Sequence, residues 1–82
     1  MKLTNLRALV AAIDEGSMRS AARRLGVSQP ALTKMIRELE RELATTLLLR
    51  STTGVLATAQ GMVLYDRAVA ANRELAHAVD QI

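Results

Sequence analysis

One stretch of this chain, from Gly26 to Leu43, constrains the fold more than any other. Gly26 can take the left-handed conformation that ends a helix, Ser28 can cap the next helix, and Pro30 falls in its first turn, where no N–H is needed. Apolar and polar side chains then separate at about 100 degrees per residue. One side of the helix holds Leu32, Ile36, Leu39 and Leu43, and the other holds Pro30, Thr33, Lys34, Arg37 and Arg41. The stretch predicts a turn and a helix with one buried face and one basic face.

Two helices are predicted before this stretch. The first runs from Leu3 to Glu15, with Thr4 as its predicted N-cap and Gly16 at its end. Its apolar residues recur three or four positions apart, at Leu3, Leu6, Val10 and Ile13, with Leu9 filling the stripe. The second helix follows a Ser17 cap and ends at Gly26. Its inward residues are predicted to be Met18, Ala21, Ala22 and Leu25.

The second and third helices have the spacing of a helix-turn-helix. A small residue, Ala22, lies four positions before Gly26, and the apolar residues Leu32 and Met35 lie six and nine positions after it. Small side chains allow two helices to cross closely, and the later apolar positions lock the second helix in place. The apolar pattern by itself also fits many other helical hairpins, so only the residues on the exposed face can indicate a function.

That exposed face has the chemistry of a nucleic-acid interface. Between Glu15 and Glu38 there is no acid but there are five basic residues: Arg19, Arg23, Arg24, Lys34 and Arg37. The Gln29 amide can pair with adenine and the Lys34 ammonium with guanine. The third helix also places Ser28, Thr33 and Arg37 where phosphates are expected. A local basic patch of this kind fits a nucleic-acid binder, but the charge alone fits a solvated helix face equally well.

After Leu43 the period of the apolar pattern changes. Two short segments, residues 46–50 and 55–58, are apolar and partly β-branched, and a turn-rich segment ending in Gly54 separates them. They predict a two-stranded hairpin, called the wing below. A lone hairpin is marginal in water, so it must lean on the helices. Leu47, with either Leu48 or Leu49, is the expected contact.

A long last helix is predicted from a Thr58 cap to the end of the chain. Its positions in a four-three alternation are Gly61, Tyr65, Ala68, Asn72, Leu75, Val79 and Ile82. Such a stripe is typical of a coiled-coil seam. Because so small a domain has little surface on which this stripe can pack, we expect the stripe to contact a second copy of the chain. Asn72 fits either a register-setting residue or an exposed polar residue near a helix crossing. The absence of a C-cap signal suggests a piece of a longer protein.

Taken together, these residues resemble the N-terminal domain of LysR-type transcriptional regulators. The likeness covers almost the whole chain and is most specific from Ala21 through Pro30. It implies a mainly α fold: a winged helix-turn-helix of three helices and a two-stranded wing, followed by a long linker helix that pairs antiparallel with its twofold mate. It also implies sequence-specific binding of double-stranded operator DNA. The dimer would place two recognition helices, residues 28–43, in successive major grooves of an interrupted palindrome.

The resemblance also divides the chain and assigns roles to its residues. Residues 1–58 would form the DNA-binding domain and residues 59–82 the dimerising linker helix. A C-terminal domain outside this chain would bind a small-molecule effector, and the intact protein would be a tetramer. The implied base contacts are Gln29, Pro30 and Lys34, and the implied backbone contacts are Ser28, Thr33, Arg37, Arg50 and Thr53. The implied dimer contacts are Tyr65, Ala68, Asn72, Leu75, Val79 and Ile82.

Several positions depart from the family pattern. Lys34 stands where the family often has arginine, which exchanges a bidentate fork for a point charge. Thr53 stands at a wing position that is often basic. Leu48 replaces a usual phenylalanine, Ala44 a usual helix-ending glycine and Ala57 a usual leucine. We therefore expect a wing that packs more loosely than is typical of the family.

Other classes of protein fit the chain less well. It has no cysteine and one histidine, His77, which is expected to be solvated. Its closely spaced acids alternate with arginines, as on an exposed helix face; they are Glu38, Glu40 and Glu42. An enzyme, a metal site and a cofactor are therefore not predicted. No apolar run approaches the roughly 18 residues of a membrane span, and no signal peptide is evident, so a cytoplasmic protein is expected. The remaining rival is a helical dimeriser whose basic face binds an acidic protein.

Overall fold

The computed structural model describes all 82 residues, from Met1 to Ile82. Four helices and one antiparallel hairpin follow each other along the chain. They are α1 (Leu3–Glu15), α2 (Met18–Leu25), α3 (Gln29–Leu43), β1 (Leu48–Ser51), β2 (Gly54–Ala57) and α4 (Ala59–Gln81). The predicted fold class, three helices plus a two-stranded wing and a long last helix, is confirmed. None of the four helices combines the length and the apolar character that a membrane crossing requires.

Most of the predicted helix ends are confirmed. The side chains of Ser17, Ser28 and Thr58 accept hydrogen bonds from the backbone N–H groups of Ser20, Ala31 and Gly61, respectively. Gly16 and Gly26 end their helices in the left-handed conformation. The Thr4 cap was wrong: the N-cap residue of α1 is Lys2, two residues earlier, and it makes no side-chain capping bond.

The core is built around alanines that bring α1 and α2 close together. Its largest fully buried side chains are Leu9, Leu32, Leu39 and Leu47, and Ala8, Ala11, Ala12 and Ala21 are inaccessible to solvent. The predicted α1 stripe was displaced, because Leu3 is 68% exposed while the buried face runs through the alanines. Leu43 was also predicted to anchor α3 but is 43% exposed. A pattern that counts only large apolar residues misses a face made of small ones.

The wing forms with the expected turn, but its strands lie closer to that turn than predicted, at residues 48–51 and 54–57 instead of 46–50 and 55–58. The pairing joins Leu48 to Ala57 and Ser51 to Gly54, so the turn consists of residues 52–53. Leu48 and Val55 are buried against the helices. Leu47, the other expected contact, is buried just before β1, whereas Leu49 is exposed. The Val55 N–H donates to the Gly16 carbonyl at 3.1 Å, which attaches the wing to the α1–α2 turn.

Glu40 anchors the start of the wing, a role that the sequence did not reveal. Its Oε2 accepts the Leu47 N–H at 2.7 Å and the Leu48 N–H at 3.3 Å. Glu38 accepts a hydrogen bond from the buried Asn5 side chain at 3.3 Å. The prediction of an exposed helix face was therefore wrong for these two glutamates, which contact neighbouring elements, and right for Glu42.

The last helix packs on α1 over part of its length. Gly61 and Ala68 are buried on the inner side of α4. Tyr65 contacts Asp14 near the end of α1, and Leu75 lines a groove with Leu3 at its beginning, so the two helices run antiparallel. Contrary to expectation, the first half of the stripe thus has a place to pack within the chain. From Asn72 onward every residue of α4 is exposed.

Ala44 ends α3 with φ 52° and ψ 41°, the one residue other than glycine with a positive φ. A side chain in this conformation crowds the backbone at a cost of about 1–2 kcal/mol. Ala44→Gly is therefore expected to raise the free energy of unfolding in urea by about 1 kcal/mol. Ala70→Gly, in the exposed right-handed part of α4, is the matched control and should lower it by about 1 kcal/mol. A loss of stability in both variants would contradict the strain assigned to Ala44.

Candidate nucleic-acid interface

The N-terminal half of α3 presents its predicted contact residues to solvent. Ser28, Gln29, Pro30, Lys34 and Arg37 are all exposed, and Thr33 is half-buried. The opposite side of α3 is held in the core through Leu32, Ile36 and Leu39. Burial of that side fixes the rotation of the helix about its axis. The polar residues consequently project together from one surface of the domain.

The wing is tied to this surface by Arg50. Its Nη2 donates to Thr33 Oγ1 at 2.8 Å. Two residues that the sequence assigned separately to backbone contacts are thus joined to each other. A guanidinium group has five donors, and this bond uses one of them. Arg50 can therefore contact a phosphate while it holds the wing beside α3.

A cleft of about 360 Å³ separates the wing from the beginnings of α2 and α3. Arg19 and Arg50 lie on its walls, together with Gln29 and the polar wing residues Ser51 and Thr52. Two arginines beside hydroxyl groups are a suitable lining for a phosphate backbone. Arg19 and Thr52 were not predicted as site residues. The only sequence signal for Arg19 was its membership of the basic cluster.

One residue of the basic cluster, Arg24, is neutralised by acidic neighbours in the fold. Arg24 forms ion pairs with Asp14 at 2.9 Å and with Glu15 at 3.5 Å. The four remaining members of the cluster have no acidic group within 4.0 Å, and neither has Arg50 of the wing. These four are Arg19, Arg23, Lys34 and Arg37. Their charge is not neutralised by a neighbouring acid, so the surface around α3 and the wing is positive.

Asp14 also receives a hydrogen bond from the Tyr65 hydroxyl. This bond, followed by the interaction with Arg24, lowers the pKa of Asp14 below its ordinary value. The same bond raises the pKa of Tyr65, and the Asp14 carboxylate raises the pKa of Arg24. Asp14 is therefore an ionised carboxylate at neutral pH that joins α1, α2 and α4.

The wing tip is ordered by its own hydroxyl groups. Thr53 Oγ1 lies 2.9 Å from Ser51 Oγ, and the Thr53 N–H donates to the same Ser51 oxygen at 3.3 Å. Both residues are exposed. The tip thus offers hydroxyl groups and no charge to a ligand, and the backbone contact assigned to Thr53 remains a prediction.

The residues predicted for dimerisation fall into two groups. Ala68 is buried within the chain and Tyr65 is hydrogen-bonded to Asp14. Asn72, Leu75, Val79 and Ile82 are exposed and follow one side of α4. This exposed part is called the α4 stripe below. His77 is exposed, and no three metal-ligating carboxylate, imidazole or thiolate groups lie together anywhere in the chain.

Residues 3–62 match the sequence profile of the bacterial regulatory helix-turn-helix proteins of the lysR family. The chain belongs to the lysR family. The matched segment includes α1, α2, α3, the wing and the first turn of α4. The resemblance drawn from the residues is thereby confirmed.

Among similar proteins, the small neutral protease regulatory protein of Streptomyces coelicolor is 47% identical over 66 residues, which is 80% of this chain and 21% of that protein. The HTH-type transcriptional regulator TdcA of Escherichia coli (strain K12) is 39% identical over 70 residues, which is 85% of this chain and 22% of that protein. The chain thus spans about a fifth of the length of these lysR-family relatives.

Solved structures of the family are similar over nearly the whole chain. A CbnR_DBD–DNA complex matches with a TM-score of 0.88 and 33% identity, covering 99% of this chain and 93% of that one. A complex of BenM_DBD with catB site 1 DNA matches with a TM-score of 0.90 and 34% identity, covering 99% of this chain and 91% of that one. In both cases the similar protein is described in complex with DNA.

Proposed function

We propose that this chain is the sequence-specific DNA-binding part of a lysR-type transcriptional regulator. The observation that carries the proposal is the basic surface formed by the exposed start of α3, Arg50 of the wing and Arg19 across the cleft. The start of a helix that projects from a rigid domain can enter a major groove, while the wing and α2 lie along the phosphates. Similar structures that are described as DNA complexes support the same proposal.

Within this proposal, residues differ in what they contact. Gln29, Pro30 and Lys34 lie at the exposed start of α3 and would contact base edges. Residues at the margin of that surface would contact the DNA backbone: Ser28, Thr33, Arg37, Arg50 and Thr53. Base contacts confer sequence preference, whereas backbone contacts fix register and contribute salt-sensitive affinity.

A second copy of the chain would complete the DNA-binding unit. The α4 stripe exposes Leu75, Val79 and Ile82 on one side of a helix, and apolar stripes of this spacing pair in coiled coils. In an antiparallel pair, two recognition helices would enter successive major grooves of an interrupted palindrome. We assign residues 1–58 to DNA contact and residues 59–82 to dimerisation.

Further functions would belong to the intact regulator. A domain beyond the linker helix would bind a small-molecule effector, and the regulator would assemble as a tetramer in the cytoplasm. The relatives are transcriptional regulators, and we propose binding without catalysis for this chain as well.

Selection of duplexes from a random library, followed by a salt titration, tests this proposal. The chain should prefer the selected duplex over a scrambled one by about 10³-fold or more at physiological salt. Gln29→Ala should lose about 1–3 kcal/mol of discrimination at one base pair, with the salt dependence unchanged. The comparison variant Arg37→Gln should instead weaken binding to both duplexes equally and lower the salt slope by about one.

Equal binding of selected and scrambled duplexes would contradict sequence-specific recognition. Binding of an acidic protein surface with no preference for DNA would favour the interaction module instead. Unchanged base preference in Gln29→Ala would remove that residue from the base contacts while leaving DNA binding in place.

A further inference from the structure

A polar junction joins the last helix to the DNA-binding elements. The Tyr65 hydroxyl on α4 donates to Asp14 Oδ1 on α1, and the other carboxylate oxygen, Oδ2, accepts from Arg24 on α2 at 2.9 Å. Two residues further along, the Gly16 carbonyl accepts the Val55 N–H of the wing. Asp14 therefore lies where α1, α2 and α4 meet, next to the wing attachment.

Apolar contacts hold the first turns of α4. Gly61 and Ala68 are its only buried residues, both lack a long side chain, and Leu64 is partly buried against the core. Beyond Ala68, α1 and α4 leave between them a groove of about 100 Å³, and the residues at its outer end, Leu3 and Leu75, are 68% and 66% exposed. Apolar packing is thus incomplete on this side. The Tyr65–Asp14 hydrogen bond is the one side-chain hydrogen bond between α4 and the helices before it.

A small change in the direction of α4 would matter because the helix is long. Residues 66–81 extend about 24 Å beyond Tyr65, at about 1.5 Å per residue. A rotation of about 10° at Tyr65 would displace the far end by about 4 Å, which exceeds the rise of about 3.4 Å per base pair. In a dimer joined through α4, both recognition helices would be displaced relative to each other.

We propose that Tyr65 is a positioning residue that, through its bond to Asp14, sets the separation of the two half-sites that the dimer accepts. The inference rests on the proposed function and reassigns Tyr65 from a contact with the partner to a contact within the chain. Tyr65 does not read bases. It makes the junction between the DNA-binding elements and the dimerising helix rigid, so that duplexes with the wrong spacing are bound less tightly.

The test uses the 82-residue chain and a series of duplexes in which the selected half-sites are moved apart or together by one base pair at a time. The wild-type chain should bind best at one spacing and lose about tenfold or more per base pair of displacement. Tyr65→Phe, which removes only the hydroxyl group, should reduce that loss to about threefold or less while binding an isolated half-site unchanged. Glu74→Gln, an exposed residue on the same helix with no hydrogen bond, is the control and should keep the wild-type profile.

Two variants of Asp14 provide a second route if Tyr65→Phe does not fold. Asp14→Asn retains an acceptor for the tyrosine and should keep the wild-type spacing profile, whereas Asp14→Ala should broaden it. If Tyr65→Phe and Asp14→Ala both show a spacing optimum as sharp as that of the wild-type chain, the inference about Tyr65 is wrong and the proposed function still stands. A flat wild-type profile with intact half-site binding would also overturn it, leaving DNA recognition in place. Absence of any preferred duplex would overturn both the inference and the proposed function.

Discussion

Gly61→Ala is expected to lower the free energy of unfolding by several kcal/mol. A Cβ at position 61 would lie 2.1 Å from the Leu47 carbonyl oxygen and 3.1 Å from the Leu47 carbonyl carbon. Both are backbone atoms, so no side-chain rotation can relieve the overlap. Either α4 must move away from β1 or the segment leading into the wing must shift.

Either movement would cost free energy, because both the backbone and the side chain of Leu47 are fixed by contacts. Its N–H donates to Glu40 at 2.7 Å, its carbonyl accepts the Thr58 N–H at 3.0 Å, and its side chain is 1% exposed. A cost of several kcal/mol is a large share of the roughly 4–12 kcal/mol that keeps a domain of this size folded. Circular dichroism during urea unfolding would measure the effect.

Gly26→Ala is the matched control for this substitution. Gly26 has φ +69°, but a Cβ there meets nothing within 4 Å. The control therefore carries only the conformational cost, about 1–2 kcal/mol, and should still fold. A Gly61→Ala variant as stable as Gly26→Ala would show that α4 can separate from Leu47 without loss, and the close approach would then have no structural importance.

The features that could be predicted from the sequence are those determined by a few neighbouring residues. Ser17, Ser28 and Thr58 cap helices because a hydroxyl reaches the N–H three residues later, which depends only on the local backbone. The turn before Gly54 is similarly local. The exposed face of α3 was predictable because the periodicity of a helix fixes which of its residues lie together.

The features that could not be predicted depend on residues that are distant in sequence. Tyr65 and Asp14 are 51 positions apart, and no periodicity of α4 distinguishes a tyrosine that contacts a partner from one that contacts α1. Glu40 looked like a solvated acid because the N–H groups that donate to it, those of Leu47 and Leu48, lie after the turn that follows its own helix. Arg19 belongs to the candidate site because the fold places the start of α2 opposite the wing, and no local pattern predicts that packing. Each case needs the packing of elements, which local patterns do not specify.

Leu75→Glu is expected to convert the chain to a monomer and to weaken binding to a duplex with two half-sites by about 10²-fold or more. Leu75 is 66% exposed at the centre of the α4 stripe, between Asn72 and Val79. In a pair of chains, a glutamate at this position would be buried in an apolar seam without a partner, at a high desolvation cost. Separate monomers lose the gain of about 10²–10⁴ that linking two binding sites confers. Sedimentation equilibrium and DNA titration would measure the two effects.

The control must separate loss of the dimer from repulsion between the new charge and DNA. Ala70→Glu introduces the same charge on the same helix, at an exposed position outside the stripe, and should remain dimeric with nearly unchanged affinity. For Leu75→Glu, affinity for an isolated half-site should also stay close to that of the wild-type chain, because α3 and the wing are untouched. An intact dimer in sedimentation would show that the interface lies elsewhere. A monomer with undiminished affinity for two half-sites would instead show that dimerisation through α4 does not contribute to DNA binding.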